Sequence, residues 1–321
     1  MSIIHSGIPN NSRVNSLSIS KHISIESLTF QQISTFCHVY EHGGYAGAAE
    51  ALGMAGPTIW EHVKTLERLY QTKLFDRAGR NIVPTSNGNE LYEMLRPLLT
   101  GVASTFDRMA ERNDRLDTEL RIVTGVRMML EELAAPLRRF QQAYPKAKIR
   151  IRNADNVIAQ QWILEDQVDL ALMIEPPRQA RDTKIHYESL YPLEYLVALP
   201  SRHRLSRQTK VHLVDLIEEP LIIGSSHSIG RRQIEQAYFR LGISEPLNVV
   251  VETDNSAVTL ACVRAGLGVG MIAGHPRGHL TTSIKTRSIA DEVGHVRVVA
   301  AYRKGRLLTD ALLTLIDRIR A

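Results

Sequence analysis

The stretch Gly43–Leu69, GGYAGAAEALGMAGPTIWEHVKTLERL, decides the fold of the first part of the chain. Gly53 to Gly56 turns the chain between two short helical runs, and Pro57 has the fixed φ suited to a first helical position. Before the turn Ala48, Ala49 and Leu52 point inward, where alanine lets helices approach closely. After it Ile59, Val63 and Leu66 give one apolar helical face. Upstream, Ile33, Phe36, Cys37 and Tyr40 carry the same periodicity, and Gly43-Gly44 stops that helix. Helix, tight turn and helix within about two dozen residues is the layout that places its second helix in a DNA groove.

Several blocks in register carry a resemblance. Ala48-Ala49-Glu50-Ala51-Leu52, Pro57-Thr58-Ile59, Leu66-Glu67, Leu74-Phe75-Asp76-Arg77 and Thr85-Ser86-Asn87-Gly88 resemble the amino-terminal signature of LysR-type transcriptional regulators. The resemblance implies a winged helix-turn-helix reading double-stranded promoter DNA. On a helical wheel Thr58, Glu61, Lys64 and Thr65 face outward, flanked by Trp60 and His62. With Ala46, Pro57 and the wing trio Arg77, Arg80 and Asn81, these are the candidate DNA contacts. The chain departs from the family where a glutamine usually precedes the proline and a serine follows three residues on; Gly56 and Trp60 stand there. Glu61 occupies a position where arginine is common, and a carboxylate there repels phosphates although it can accept from cytosine N4. Trp60 is placed to touch a thymine methyl or to pack on the wing.

Charge bears on affinity. Between Leu28 and Arg96 the basic residues are Lys64, Arg68, Lys73, Arg77, Arg80 and Arg96. Against them stand Glu41, Glu50, Glu61, Glu67, Asp76, Glu90 and Glu93, so the region is not net basic. Phosphate neutralisation supplies most non-specific affinity, which predicts modest binding per monomer and a need to link two readers.

Thr85 is positioned to cap a long helix running to about Arg112, with Leu91, Leu95, Leu98, Val102, Phe106 and Met109 along one side. A stripe that outruns the small domain fits a partner helix better than a local core. By resemblance this is the linker helix that pairs in a dimer. Pro97 inside the run removes a backbone hydrogen bond and predicts a kink, and Asn113-Asp114-Arg115 reads as a polar hinge.

From Leu120 the texture becomes βαβαβ: a strand to Thr124, a helix from about Met128 to Tyr144, an alternating strand Lys148–Arg152, a helix around Ile158–Glu165 and a buried strand Leu170–Ile174. Tyr195–Leu199 reads as a crossing strand into a second lobe with strands at Leu221–Gly224, Val249–Glu252 and Gly268–Ile272. Val296–Tyr302 and a helix from Leu307 return to the first lobe. Phe140 with Tyr144-Pro145, Asp169-Leu170-Ala171-Leu172, Pro200 with His203, and Val263 through Gly270 resemble the family's effector-binding half, itself similar to periplasmic binding proteins.

A ligand then belongs in the cleft, where loops at strand ends converge. The effector candidates are Thr124, Gly125, Arg127, Asp155 and Asn156 on the first lobe, and Ser225, His227, Ser228, Thr253 and Asn255 on the second. Free N–H groups at a helix start favour an anion, Arg127 offers a bidentate clamp, and a small carboxylate is the expected effector. The plainer alternative is that these Ser, Thr, Asp and Asn residues cap helices.

At 321 residues with 44% hydrophobic content the chain can hold two or three cored domains, and its net charge of +5 is compatible with nucleic acid without demanding it. Cys37 and Cys262, on apolar faces of separate domains, read as core thiols. No apolar run reaches the roughly twenty residues of a membrane span, and no secretory signal opens the chain, so a cytoplasmic protein is expected. Gly266-Leu267-Gly268-Val269-Gly270 follows a helix and enters a strand, the reverse of a dinucleotide motif. His275 and His279 have metal-like spacing, but Pro276 and Gly278 argue against one helix presenting both. With no Gly-x-Ser-x-Gly elbow and no CxxC pair, no catalysis, cofactor or metal is expected.

The reading is thus α+β: an N-terminal winged helix-turn-helix, a long linker helix, and a two-lobed α/β periplasmic-binding-protein-like effector domain. The expected boundaries are 1–26 for a disordered extension (or a miscalled start), 27–86 for the reader, 87–115 for the linker and 116–321 for the effector domain. Lobe one takes 116–193 and 287–321, and lobe two 194–286. The expected partners are promoter DNA, a small-molecule effector, a second copy in a dimer or tetramer, and RNA polymerase. The alternative is an effector-sensing oligomer whose DNA reading has degenerated through Trp60 and Glu61.

Overall fold

A computed structural model describes residues 27–79, 81–112, 119–243 and 245–320. The amino-terminal extension, Arg80 and the hinge Asn113-Asp114-Arg115 lie outside the described residues. Two compact units divide the chain, the first ending at Leu99 and the second beginning at Thr100.

In the first unit, helix α1 (Phe30–Glu41) starts from a reciprocal capping box: Thr29 Oγ1 accepts from Gln32 N at 3.2 Å, and Gln32 Oε1 accepts from Thr29 N at 3.0 Å. Helix α2 (Tyr45–Leu52) ends at Gly53 in the left-handed region, and α3 (Gly56–Leu69) has Pro57 in its first turn. Phe36, Cys37, Ala48, Ile59, Val63, Leu66 and Leu74 form the core, so the periodic positions face inward as their spacing requires. Strands β1 (Phe75–Ala78) and β2 (Asn81–Pro84) pair antiparallel as the wing.

Helix α4 (Ser86–Arg112) begins where Thr85 Oγ1 accepts from Gly88 N at 3.0 Å and donates to Lys73 O at 2.7 Å. Gly88 passes so close to the strand entry that a Cβ there would stand 2.1 Å from Leu74 O. The Thr-Ser-Asn-Gly block is therefore a wing-to-helix joint. The helix assignment continues through Pro97 without a break in its span. The apolar stripe also divides. Leu91 and Leu95 belong to the local core, whereas Leu98, Val102, Phe106 and Met109 are exposed, Phe106 at 74%.

The second unit is built on one sheet ordered β4-β3-β5-β11-β6-β9-β7-β8, with β10 also paired to β6. Its strands are β3 (Glu119–Thr124), β4 (Lys148–Asn153), β5 (Leu170–Ile174), β6 (Ile185–Leu199), β7 (Leu221–Gly224), β8 (Val249–Thr253), β9 (Val269–Gly274), β10 (Lys285–Ser288) and β11 (His295–Arg303). Helices α5 (Val126–Glu131), α6 (Ala134–Ala143), α7 (Asn156–Leu164), α8 (Ile229–Arg240), α9 (Ser256–Arg264), α10 (Ala290–Val293) and α11 (Asp310–Arg320) cover it. Parallel ladders β4-β3-β5 and β9-β7-β8 form two halves, and β6 belongs to both, pairing with β11 through Glu194 and with β9 from Glu194 onward.

Three expectations need correction. The helix expected over Met128–Tyr144 is two helices, because Pro136 cannot donate back to residue 132 and so sits in the first turn of a new helix. The crossing strand is fifteen residues long and begins at Ile185. Pro192 and a register shift opposite Val298/Val299 hide its alternation. Ile151 on β4 is exposed, since β4 is a sheet edge, so that strand's apolar face is only partly covered.

Asp169 ties the first half together. Its Oδ2 accepts from Arg121 N at 2.8 Å, and its Oδ1 from Arg121 Nη2 at 2.7 Å and Arg306 Nη2 at 2.8 Å. Burial pushes its pKa up, but the guanidinium groups and the amide outweigh that and hold it below the usual carboxylate range. Two glycines of the Val263–Gly270 block serve packing: a Cβ on Gly268 would meet Pro220 O at 2.2 Å, and one on Gly270 would meet Val263 Cγ2 at 2.7 Å.

Candidate DNA interface and effector site

Helix α3 turns Thr58, Trp60, Glu61 and Arg68 outward because Ile59, Val63 and Leu66 are held in the core. Ala46, in the first turn of α2, and Pro57 are exposed beside them, and Arg77 and Asn81 are exposed on the wing. Trp60 is 48% exposed, with the Lys64 ammonium 5.7 Å from its ring centroid. The charges on this face are internally matched. Glu61 Oε1 receives Arg68 Nη2 at 2.8 Å, and Thr65 Oγ1 accepts from the same nitrogen at 2.9 Å. Lys64 Nζ binds Glu67 Oε2 at 2.5 Å, while Glu67 Oε1 accepts the Leu74 amide at 2.9 Å. Burial raises the Glu67 pKa, but Lys64 and the amides of Leu74 and Phe75 prevail and hold it low. The Leu66-Glu67 block thus anchors the wing to the reading helix.

The structure adds two observations to the sequence reading. His62 faces α1, its Nδ1 2.9 Å from the buried Thr35 hydroxyl, a contact that braces the helix. Arg68, absent from the sequence-based candidates, stands exposed on the reading face; its i+7 relation to Glu61 was the available signal. Trp60, Glu61, Lys64, Arg68 and Lys73 are among the residues lining a shallow hollow of about 560 Å³.

In the second unit the candidate effector residues occupy the carboxyl ends of parallel strands. Thr124 lies level with Asn153, and Gly224 with Thr253, so the loops pair up within each half. Helices α5 and α9 pack side by side across the halves. Most of the candidate side chains already have internal partners. Asp155 caps α7 by accepting from Val157 N and Ile158 N at 2.8 and 2.9 Å, Ser228 caps α8 through Arg231 N at 3.1 Å, and Asn255 caps α9 through Val258 N at 3.1 Å. Asn156 Nδ2 donates to Ile174 O at 2.7 Å, Thr253 and Thr259 share a buried hydroxyl contact of 2.6 Å, and Thr124 Oγ1 meets Met128 Sδ at 3.2 Å. Gly125 leads into α5 without a side-chain cap, and that helix has only six residues, too few for a strong terminal dipole. Ser225 and His227 sit at the loop surface.

Arg127 departs furthest from expectation. It is 7% exposed and paired with Glu132, so it is not an open carboxylate clamp. Beside Glu132 lies a cavity of about 510 Å³ lined by Glu131, Glu132, His275, Arg277, Gly278, His279 and Thr282. None of the effector candidates lines it, because Glu131 and Glu132 close α5 and the facing segment follows β9, far away in the chain. His275 and His279 lie in a turn, and among the described residues no His, Cys, Asp or Glu cluster could hold a metal ion. Among the described residues no helix is long and apolar enough to cross a membrane.

Residues 30–89 match the family described as bacterial regulatory helix-turn-helix protein, lysR family, and residues 113–321 match the LysR substrate binding domain. The RuBisCO operon transcriptional regulator of Allochromatium vinosum is 26% identical, over 88% of this chain and 93% of that protein. The HTH-type transcriptional regulator AlsR of Bacillus subtilis is 23% identical, over 86% of this chain and 91% of that one. Among solved structures, HinK, a LysR family transcriptional regulator from Pseudomonas aeruginosa, aligns with a TM-score of 0.54 at 25% identity, covering 91% of this chain and 97% of that one. A reading helix on a packed helix-turn-helix, joined to a two-half ligand-binding fold and matched by both family descriptions, identifies the chain as a member of the LysR family of DNA-binding transcriptional regulators, not an enzyme.

Proposed function

We propose that the protein acts as a homo-oligomer on a partly palindromic promoter site in the cytoplasm. In this reading a small molecule between the halves of the second unit shifts the oligomer between two shapes and alters its engagement with DNA and RNA polymerase. The observation that carries it is the exposed stripe Leu98, Val102, Phe106 and Met109 on α4, which offers a second copy an apolar helix side. Pairing would place two copies of α3 on one duplex and supply the affinity that a near-neutral monomer lacks. The contacts on DNA would come from Pro57, Thr58, Trp60, Thr65, Arg68, Arg77 and Asn81, with Lys64 and Glu61 exchanging internal partners for DNA groups.

For the effector we favour a small polar metabolite, a carboxylate among them, held by the loop residues Gly125, Ser225 and His227 and by amides at the starts of α8 and α9. Arg127 would join only by leaving Glu132. The ligand acts through its differential affinity for the two shapes and through nothing else.

Selection of genomic fragments by the purified full chain at near-physiological salt tests this. Enrichment of one site with two half-sites is the expected result. A second reading, an effector sensor with degenerate DNA reading, draws on the matched charges of α3 and on Gly56 and Trp60. If no fragment is enriched but the Gly56→Gln, Trp60→Ser double variant gains sequence-selective binding, that second reading replaces the first.

A further inference from the structure

The end of α5 and the segment 275–282 after β9 belong to opposite halves of the second unit, and a few polar contacts join them. His275 Nε2 stands 3.5 Å from Glu132 Oε1. Glu131 Oε1 accepts the Leu280 amide at 3.4 Å. Gly278 lies against the same carboxylate so closely that a Cβ would fall 1.4 Å from Oε1. Glu132 is also the partner of Arg127, yet its Oε2 is buried with no hydrogen-bond partner. These are long contacts around an incompletely satisfied carboxylate, the signature of an arrangement that can be made or released at small cost.

We propose that His275, Glu131 and Glu132 form a latch that draws the 275–282 segment onto α5 when His275 is protonated and releases it when His275 is deprotonated, so that acid narrows the cavity between the halves. This rests on the reading that ligand response depends on how the two halves sit. The groups facing His275 are Glu131, Glu132 and Arg127 from the α5 side, Tyr191 from β6 with its ring centroid 6.0 Å away, and Arg277 and His279 from its own segment.

The titration of His275 drives the latch. The contact with Glu132 raises the His275 pKa, and burial and the Arg127 charge oppose it without cancelling it. A histidine with a raised value contributes its full contact below the usual imidazole value of about 6.5 and loses it as pH climbs through the higher folded value. Burial first, and then the Glu132 charge, raises the Glu131 pKa, whereas the Leu280 amide and the His275 charge favour its ionised form, so Glu131 holds the segment as a carboxylate. Burial pushes the Tyr191 hydroxyl far up, which keeps it neutral throughout.

Hydrogen exchange of the full chain, read by mass spectrometry on peptides spanning 275–284 at pH 5.8 and 8.2 after correction for chemical exchange, tests the latch without DNA or ligand. Wild type should be about twofold to fivefold better protected at the lower pH, the range of a partly exposed ion pair. His275→Gln and Glu132→Gln should each flatten that difference, and His279→Gln should keep it. Equal protection of wild type at both pH values, an undiminished difference in His275→Gln, or its loss in His279→Gln would overturn the proposal. Failure of DNA selection leaves this readout untouched, so the two readings fall separately.

Discussion

Replacing Asp169 by alanine should destabilise the second unit more than any other single carboxylate removal in its first half. Its side chain is 6% exposed and receives the Arg121 amide, the Arg121 guanidinium and the Arg306 guanidinium. Breaking a buried pair by deleting one partner costs about 3–5 kcal/mol, because the other charge is left without compensation. Arg121 is 38% exposed here, so water takes over part of its solvation, whereas Arg306 at 14% is left poorly solvated. The discounted expectation is about 2–3 kcal/mol, or about 4–12 °C in the calorimetric midpoint at about 2–4 °C per kcal/mol for a domain of this size.

The pH dependence has a definite sign. A carboxyl whose folded pKa is depressed contributes stability above its unfolded value of about 3.9 and loses it as pH falls through the folded value. The gap between wild type and Asp169→Ala should therefore be constant from neutrality down to about pH 4 and shrink only below it. Calorimetry of the full chain at several pH values reads this on the transition of the second unit. A penalty under about 0.5 kcal/mol, the usual scatter of surface substitutions, would refute the view that Asp169 holds β3, β5 and the segment before α11 together. So would a gap that closes between pH 8 and 6.

Two further substitutions probe the remaining parts. Gly88→Ala would stabilise an ordinary helix interior, but the clash with Leu74 O should reverse the sign and cost the first unit about 1–3 kcal/mol in urea unfolding; a gain in stability would show that the wing joint has slack. Phe106→Glu should leave monomer stability unchanged and weaken self-association about tenfold or more, the worth of one buried aromatic side chain. Sedimentation unchanged by this substitution would mean that the α4 stripe does not hold copies together.

Periodic positions were legible because each answers to its own local geometry. Ile59, Val63 and Leu66 face the core, and β5 and β7 span the expected residues, since burial recurs with the period of the backbone. Polar side chains answer to partners that the sequence does not place. His62 meets Thr35, twenty-seven positions away, and Glu131 meets Leu280 across 149. Asp155, Ser228 and Asn255 illustrate an ambiguity that no periodicity resolves: a residue that begins a helix at a strand end has the same type and place whether it serves the helix or a ligand. Strand β6 escaped for a third reason, because a strand shared by two halves changes its neighbours midway, and with them the side that is buried.

The matched charges of α3 bear on how a near-neutral reader can still discriminate. Lys64 and Arg68 rest on Glu67 and Glu61, so neither adds its full charge to the field that draws any duplex. To use them, DNA must offer an exchange: a phosphate or guanine edge for the cation, and a donor such as cytosine N4 for the carboxylate released. A site that supplies both loses little in the exchange, while one that supplies only the phosphate leaves Glu61 facing a second negative charge. Such a surface gives up non-specific affinity and gains discrimination through the partner that a wrong sequence fails to provide. On the proposed reading Glu61, which departs from the family pattern and on charge alone would weaken binding, would then act as a filter on sequence. The salt dependence follows: a complex on the right site should release fewer counterions than the number of cations on its face suggests.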